Sequence, residues 1–190
     1  MIDSEKTPTR DEAWQLLSEW TSSPGLRGHA LAVEAAMREY ATHFGEDPDV
    51  WGVIGLLHDF DYERYPSAED HPFRGAEELR RRGVDDEIVQ TIMSHANYSG
   101  IPRETTLMRT LFAVDELCGL IIATALVQPD RKLEQVTVSS VKKKMKRKDF
   151  ARSVNRDDIL NGADELGVGL DEHIDRVLHA LKSVAPVLGL

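Results

Sequence analysis

The stretch "WGVIGLLHDFDYERYP", residues 51–66, runs an unbroken set of apolar residues and glycines straight into His58, Asp59 and Asp61. Asp47 and Pro48 stand just before it as a helix cap and a first-turn proline, so the oily part reads as a helix. Trp51, Ile54 and Leu57 recur on it at helical spacing. A helix this apolar is buried on most of its surface. Closing it with an imidazole and acids leaves two readings. One is a capped helix with a satisfied polar end; the other is a metal site.

The same periodicity extends outward, and no run alternates as a strand would. Ala13, Leu16, Leu17 and Trp20 mark a first amphipathic helix, closed by "SSPG". His29, Val33, Ala36 and Tyr40 share one face of a second, and the quoted stretch is the third. Residues 72–82 form a fourth, stopped by Gly83. A fifth begins with Asp85, Asp86 and Glu87 and carries Ile88, Ile92 and His95. A long sixth begins after Pro102, carries Leu107, Leu111, Val114, Cys118, Ile121 and Ala125, and ends before Pro129. Two more, from Asn155 and from Asp171, close the chain. Connections are short and repeats are absent. The expectation is one all-α domain of about eight or nine helices spanning residues 1–190.

The chain of 190 residues is long enough for one sizeable core and short for two. A net charge of −10 argues against nucleic acid or an anionic membrane as partner. The N-terminus lacks the apolar run of a secretory signal. The oiliest stretch, "LCGLIIATALV" at residues 117–127, is far shorter than the roughly 20 residues that span a bilayer. Its lone Cys118 has no partner for a disulfide and sits among apolar neighbours, which suits a structural role in a reducing, cytoplasmic setting. The apolar end "APVLGL" offers a face to a second copy, so a homo-oligomer is one expectation.

His29, His58 and His95 each fall on, or at the end of, an apolar stripe, and so does Asp115. Each alone has a structural explanation, since a core histidine usually bonds a carbonyl and a buried acid a cation. Several core-facing helices each offering such a group is also how helical bundles build metal sites. Imidazole with carboxylate suits first-row divalent ions. Consecutive residues on a continuous helix point about 100° apart, so His58 and Asp59 converge more readily where a helix ends.

The ordered set His29, His58–Asp59, Asp115 resembles the H…HD…D signature of the HD-domain superfamily of metal-dependent phosphohydrolases, over residues 26–126. His71, in "HPFRGAEELRRRG", and His95, in "IMSHANYSG", resemble the extra histidines of its two-metal branches. The resemblance implies that His29, His58, Asp59 and Asp115 hold one ion, and that His71 and His95 complete a second with Asp59 bridging. The implied cofactors are one or two divalent ions: Mn, Fe, Co, Ni or Zn, with Mg as a further option. His43, His173 and His179 match nothing in the pattern. Asp61 and Tyr62 stand where the HD-GYP phosphodiesterases have Gly and Lys, and the GYP motif is missing. Tyr62 also replaces a Glu of the 5′-deoxynucleotidases. The segment after Asp115 looks like a small bacterial HDIG-type group of predicted hydrolases, with residues 134–190 a helical extension.

What this implies is a phosphohydrolase that uses metal-activated water on a nucleotide or another small phosphorylated metabolite. Asp59 is the expected catalytic bridge. Asp61 and Glu63 are near enough in sequence to orient ligands or to act as acid or base, or else they solvate a loop. Arg74 is a candidate phosphate clamp or a surface ion pair. Six of the seven residues 142–148 are cationic, so Lys142, Lys143 and Lys144 either draw an anionic substrate or form a solvated helix face above Val138, Val141 and Met145. Two alternatives share the ligands: an HD-type di-iron oxygenase, and a binding or sensory HD module without turnover.

Overall fold

The structure is a computed structural model that describes residues 2–190. Those residues form ten α-helices, three short 3-10 turns and no strand, as the all-α reading requires. The helices are α1 (Arg10–Trp20), α2 (Pro24–Phe44), α3 (Pro48–Leu57), α4 (Phe73–Arg81), α5 (Asp86–Ser94), α6 (Thr106–Leu126), α7 (Val138–Met145), α8 (Arg156–Leu166), α9 (Leu170–Ser183) and α10 (Ala185–Leu188).

Short polar side chains start most of these helices by accepting the first free backbone N–H groups. Thr9 and Glu12 make a reciprocal capping box on α1. Ser23, Asp47, Asp85, Thr105, Thr137 and Asn155 cap α2, α3, α5, α6, α7 and α8. Gly45 and Gly167 close α2 and α8 in the left-handed region.

The two longest helices, α2 and α6, form the centre. Val33, Met37 and Tyr40 of α2 pack with Leu111, Leu117 and Ile121 of α6, all fully buried. Helix α3 lies along α2, and α5, α7, α8 and α9 surround α6. Helices α6 and α8 approach backbone to backbone. A Cβ built on Gly162 would lie 2.6 Å from the Ala113 Cα, so only glycine lets the two backbones meet there. His173, outside the expected ligand pattern, is structural: Tyr40 donates its hydroxyl to Nδ1 at 2.6 Å, and Nε2 donates to the Ala113 carbonyl at 2.9 Å. Cys118 is buried beside Leu117 and Leu120, and burial pushes its thiol pKa up.

The C-terminal "APVLGL" turns back onto its own chain and leaves Val187 67% exposed. Helix α10 rests on α2, with Leu188 and Leu190 against the core, because those apolar groups find an uncovered strip of their own chain. Among the described residues no helix is long and apolar enough to cross a membrane.

Candidate metal centre

Four helical segments deliver the cluster. His29 comes from the second turn of α2, His58 caps the C-terminus of α3, His95 caps that of α5, and Asp115 lies midway along α6. The chain after His58 continues in tight turns through residue 64, which bring Asp59 under the same roof. His71 stands at the entry to α4, before a cis bond to Pro72.

Asp59 is the common element. His29, His58 and Asp59 offer ligand atoms that all lie within 4.8 Å of one another, and Asp59, His71 and His95 do the same. The Asp59 Oδ2 lies 3.5 Å from the His58 Nε2, while its Oδ1 lies 3.2 Å from His71 Nε2 and 3.3 Å from His95 Nε2. Asp115 joins the first group, its Oδ1 2.9 Å from His29 Nε2 and 3.4 Å from His58 Nε2.

The far nitrogens are anchored. His58 Nδ1 donates to the Gly55 carbonyl at 2.8 Å, His95 Nδ1 to Ile92 at 2.5 Å, and His71 Nδ1 to the Asp61 carboxylate at 2.8 Å. Each ring therefore points Nε2 at the centre, the arrangement that fixes the tautomer of a metal-ligating histidine. Nε2 of His58 is buried and, although near two carboxylates, has no partner in hydrogen-bond geometry. Nε2 of His71 and of His95 face each other at 3.3 Å. Lone pairs converging in this way need a proton or a cation between them.

Charge inside the cluster is correspondingly strained. Burial opposes the charged forms of Asp59 and Asp115, but His58 holds both well below the ordinary carboxylate range. Those acids in turn raise His58 despite its burial. Burial also depresses His71, yet hydrogen bonds to Asp59 and Asp61 carry it to about 9. Four imidazoles and two carboxylates form a mixed N/O set that fits Mn, Fe, Co, Ni or Zn better than the oxygen-seeking Mg.

A cleft of about 480 Å³ opens over the cluster, lined on one side by His29, Asp59, His71, His95 and Asp115. Its other wall brings Asn97, Tyr98, Glu116, Asn155 and Asp158 from distant parts of the chain. Burial, then the charge of Asp115, lifts the Glu116 carboxyl to about 7.

A family model described as the HD domain matches residues 26–139, well over half of the chain. The chain belongs to the HD-domain family. Its HD domain therefore falls in a superfamily of metal-dependent hydrolases, and its His/Asp cluster can hold a metal. No solved structure matches the chain.

Within this HD domain the six expected ligands, His29, His58, Asp59, His71, His95 and Asp115, come together. Asp61 sits directly behind them. It is fully buried, and its carboxylate accepts from His71 Nδ1 and, at 2.7 Å, from the Gly75 N–H. It orients the His71 ring and does not line the cleft. Glu63 points the other way and caps the start of α2, accepting from the Ser22 and Ser23 N–H groups at 2.6 and 3.0 Å. Arg74 takes the surface ion pair and not the phosphate clamp, held by Asp70 and Glu77 at 3.1 Å each. Lys142, Lys143 and Lys144 lie on α7, whose Val141 is buried, and none of them lines the cleft. Lys142 pairs with Asp171 at 2.5 Å and Lys144 covers the Phe150 ring. The far wall was missed, although Glu116 follows Asp115 directly and Asn155 was legible as a helix start.

Proposed function

We propose that this HD domain hydrolyses a phosphate ester, a nucleotide or another small phosphorylated metabolite, with one or two divalent ions held by the cluster. The observation that carries the reading is the two-sided carboxylate of Asp59, one oxygen toward His58 and the other toward His71 and His95. A carboxylate so placed suits a bridge between two ions. Divalent ions in such a site supply water activation and neutralise charge on a transferring phosphoryl group.

The chain's own residues do the rest. His29, His58 and Asp115 would hold one position, and His71 and His95 the other. Asp61 accepts the His71 Nδ1–H and so leaves Nε2 as the nitrogen turned toward the site. Gly55 and Ile92 do the same for His58 and His95 through their carbonyls. Tyr62 and Tyr98 line the cleft over the cluster.

The test is elemental analysis of the purified protein, followed by a panel of phosphomonoesters and phosphodiesters with His58→Ala as control. Phosphate release by the parent and none by the variant supports the reading. A pair of redox-active iron ions with oxygen consumption and no phosphate release overturns it in favour of oxygenation. Full ion content with neither activity overturns it in favour of a binding module.

A further inference from the structure

The cleft is unusual for one that receives phosphate. Among the described residues that line it there is no lysine or arginine. Arg152, next to Ser153 in the chain, is exposed and is not among the lining residues, while Arg103 and Arg156 are engaged behind the lining, Arg103 donating to the Asn97 Oδ1 at 3.1 Å. Arg103 grips Glu165 with two contacts of 2.7 Å and stacks on Phe112, and Arg156 donates to the carbonyls of Phe150, Ala151 and Val154. Positive charge for one phosphate is thus available at the cluster, and the side chains that line the cleft offer none for a second.

Acids and aromatic rings face the part of the ligand that lies beyond the phosphate. Glu116 lies beside the Asn155 backbone N–H, and Asp158 accepts the side-chain amides of Asn97 at 3.1 Å and Asn155 at 2.8 Å. These are neutral donors, so both carboxyl groups face the cleft without a cationic side chain bonded to them. Tyr62 and Tyr98 line the same cleft while remaining 39% and 53% exposed, which leaves ring surface free at its mouth. Carboxylates beside open aromatic faces are the surroundings that bind an ammonium group.

We infer, on the phosphate-ester reading above, that the substrate is a compact ester with a single phosphate at one end and a cationic amine at the other. The phosphate lies against the cluster, and the amine is received by Glu116, Asp158 and the faces of Tyr62 and Tyr98. Further phosphates or a distal carboxylate meet like charge and are rejected.

The test uses manganese-loaded protein of measured ion content, titrated calorimetrically with phosphoethanolamine, glycerol phosphate and phosphoglycolate. These probes are similar in size, carry one phosphate, and end in a cation, a neutral hydroxyl and an anion. Phosphoethanolamine should bind at least about tenfold more tightly than phosphoglycolate, with glycerol phosphate between them. Glu116→Gln should compress that spread with ion content unchanged. Asp158→Asn serves the same purpose if the first variant fails to fold. Equal affinities, the reverse order, no binding to the ion-loaded protein, or a spread untouched in a folded variant would each overturn the inference. Hydrolysis of esters with the reverse charge preference would remove this inference alone. A protein that takes up no ion would remove the hydrolase reading beneath it.

Discussion

The Asp61 carboxylate accepts the Nδ1–H of His71 at 2.8 Å, and through that bond it decides which nitrogen of the ring faces Asp59. Asp61→Asn keeps the volume but weakens the acceptor and allows an amide flip. Affinity for the ion held by His71 and His95 should fall about 10- to 100-fold, as for other groups that orient a ligand. Competition against a fluorescent chelator measures this. Retention of parental affinity would show that His71 is not held through Asp61.

Gly75 has no room for a side chain. A Cβ there would lie 2.8 Å from the Asp61 Cγ and 3.0 Å from the Phe60 ring. Gly75→Ala must push Asp61 off His71, an overpacking that costs about 1–3 kcal/mol. Denaturant unfolding of the metal-free protein should show the loss, and the chelator assay should show weakened ion binding in the same variant.

Asp115→Ala should empty the first group as effectively as His58→Ala, because each leaves three of the four side chains that face one another there. The parent should gain roughly 2.7 kcal/mol of stability at an ion concentration a hundred times the dissociation constant. A thermal-shift titration with Mn, Co, Ni and Zn reads this directly. A variant that still shifts as the parent does would exclude the residue as a ligand.

Burial holds the pKa of His173 below its ordinary value near 6.5. Its neutral form, with the proton on Nε2, accepts the Tyr40 hydroxyl. Between the lowered folded value and 6.5 the unfolded chain binds more protons, so this residue's contribution is intact above 6.5 and is lost as pH falls below it. NMR of the ring nitrogens should find the neutral tautomer persisting below pH 6.5. Tyr40→Phe leaves Nδ1 buried without a donor and should cost about 1–3 kcal/mol in denaturant unfolding.

His29, His58, Asp59, His95 and Asp115 were legible because each sits at a place with a local signature (an apolar stripe, a helix end, a doublet after seven oily residues), whereas His71 stood out only through the family resemblance. Helix starts were equally plain, since Asp47–Pro48 and Asn155 announce themselves through capping chemistry. Direction was not legible in the turns that follow His58. Asp61 and Glu63 are two residues apart and equally acidic, yet one turns inward to His71 and the other outward to Ser22. That choice depends on where α2 and α4 lie, which no local pattern encodes. The far wall was hidden for a related reason. Asn97, Glu116 and Asp158 meet only because α8 folds against α6, a contact written as a single glycine.

At Gly162 the absence of one methyl group sets α8 directly on the backbone of Ala113. Glu116 stands one turn above that point on α6, and Asp158 one turn before it on α8. The two helices cannot draw closer, because main chain already meets main chain, and any bulkier residue would wedge them apart. The contact acts as a fixed gauge for the bore of the chamber. Ligand size can be retuned by exchanging the groups on its sides, whereas a change at position 162 would shift the whole aperture at once.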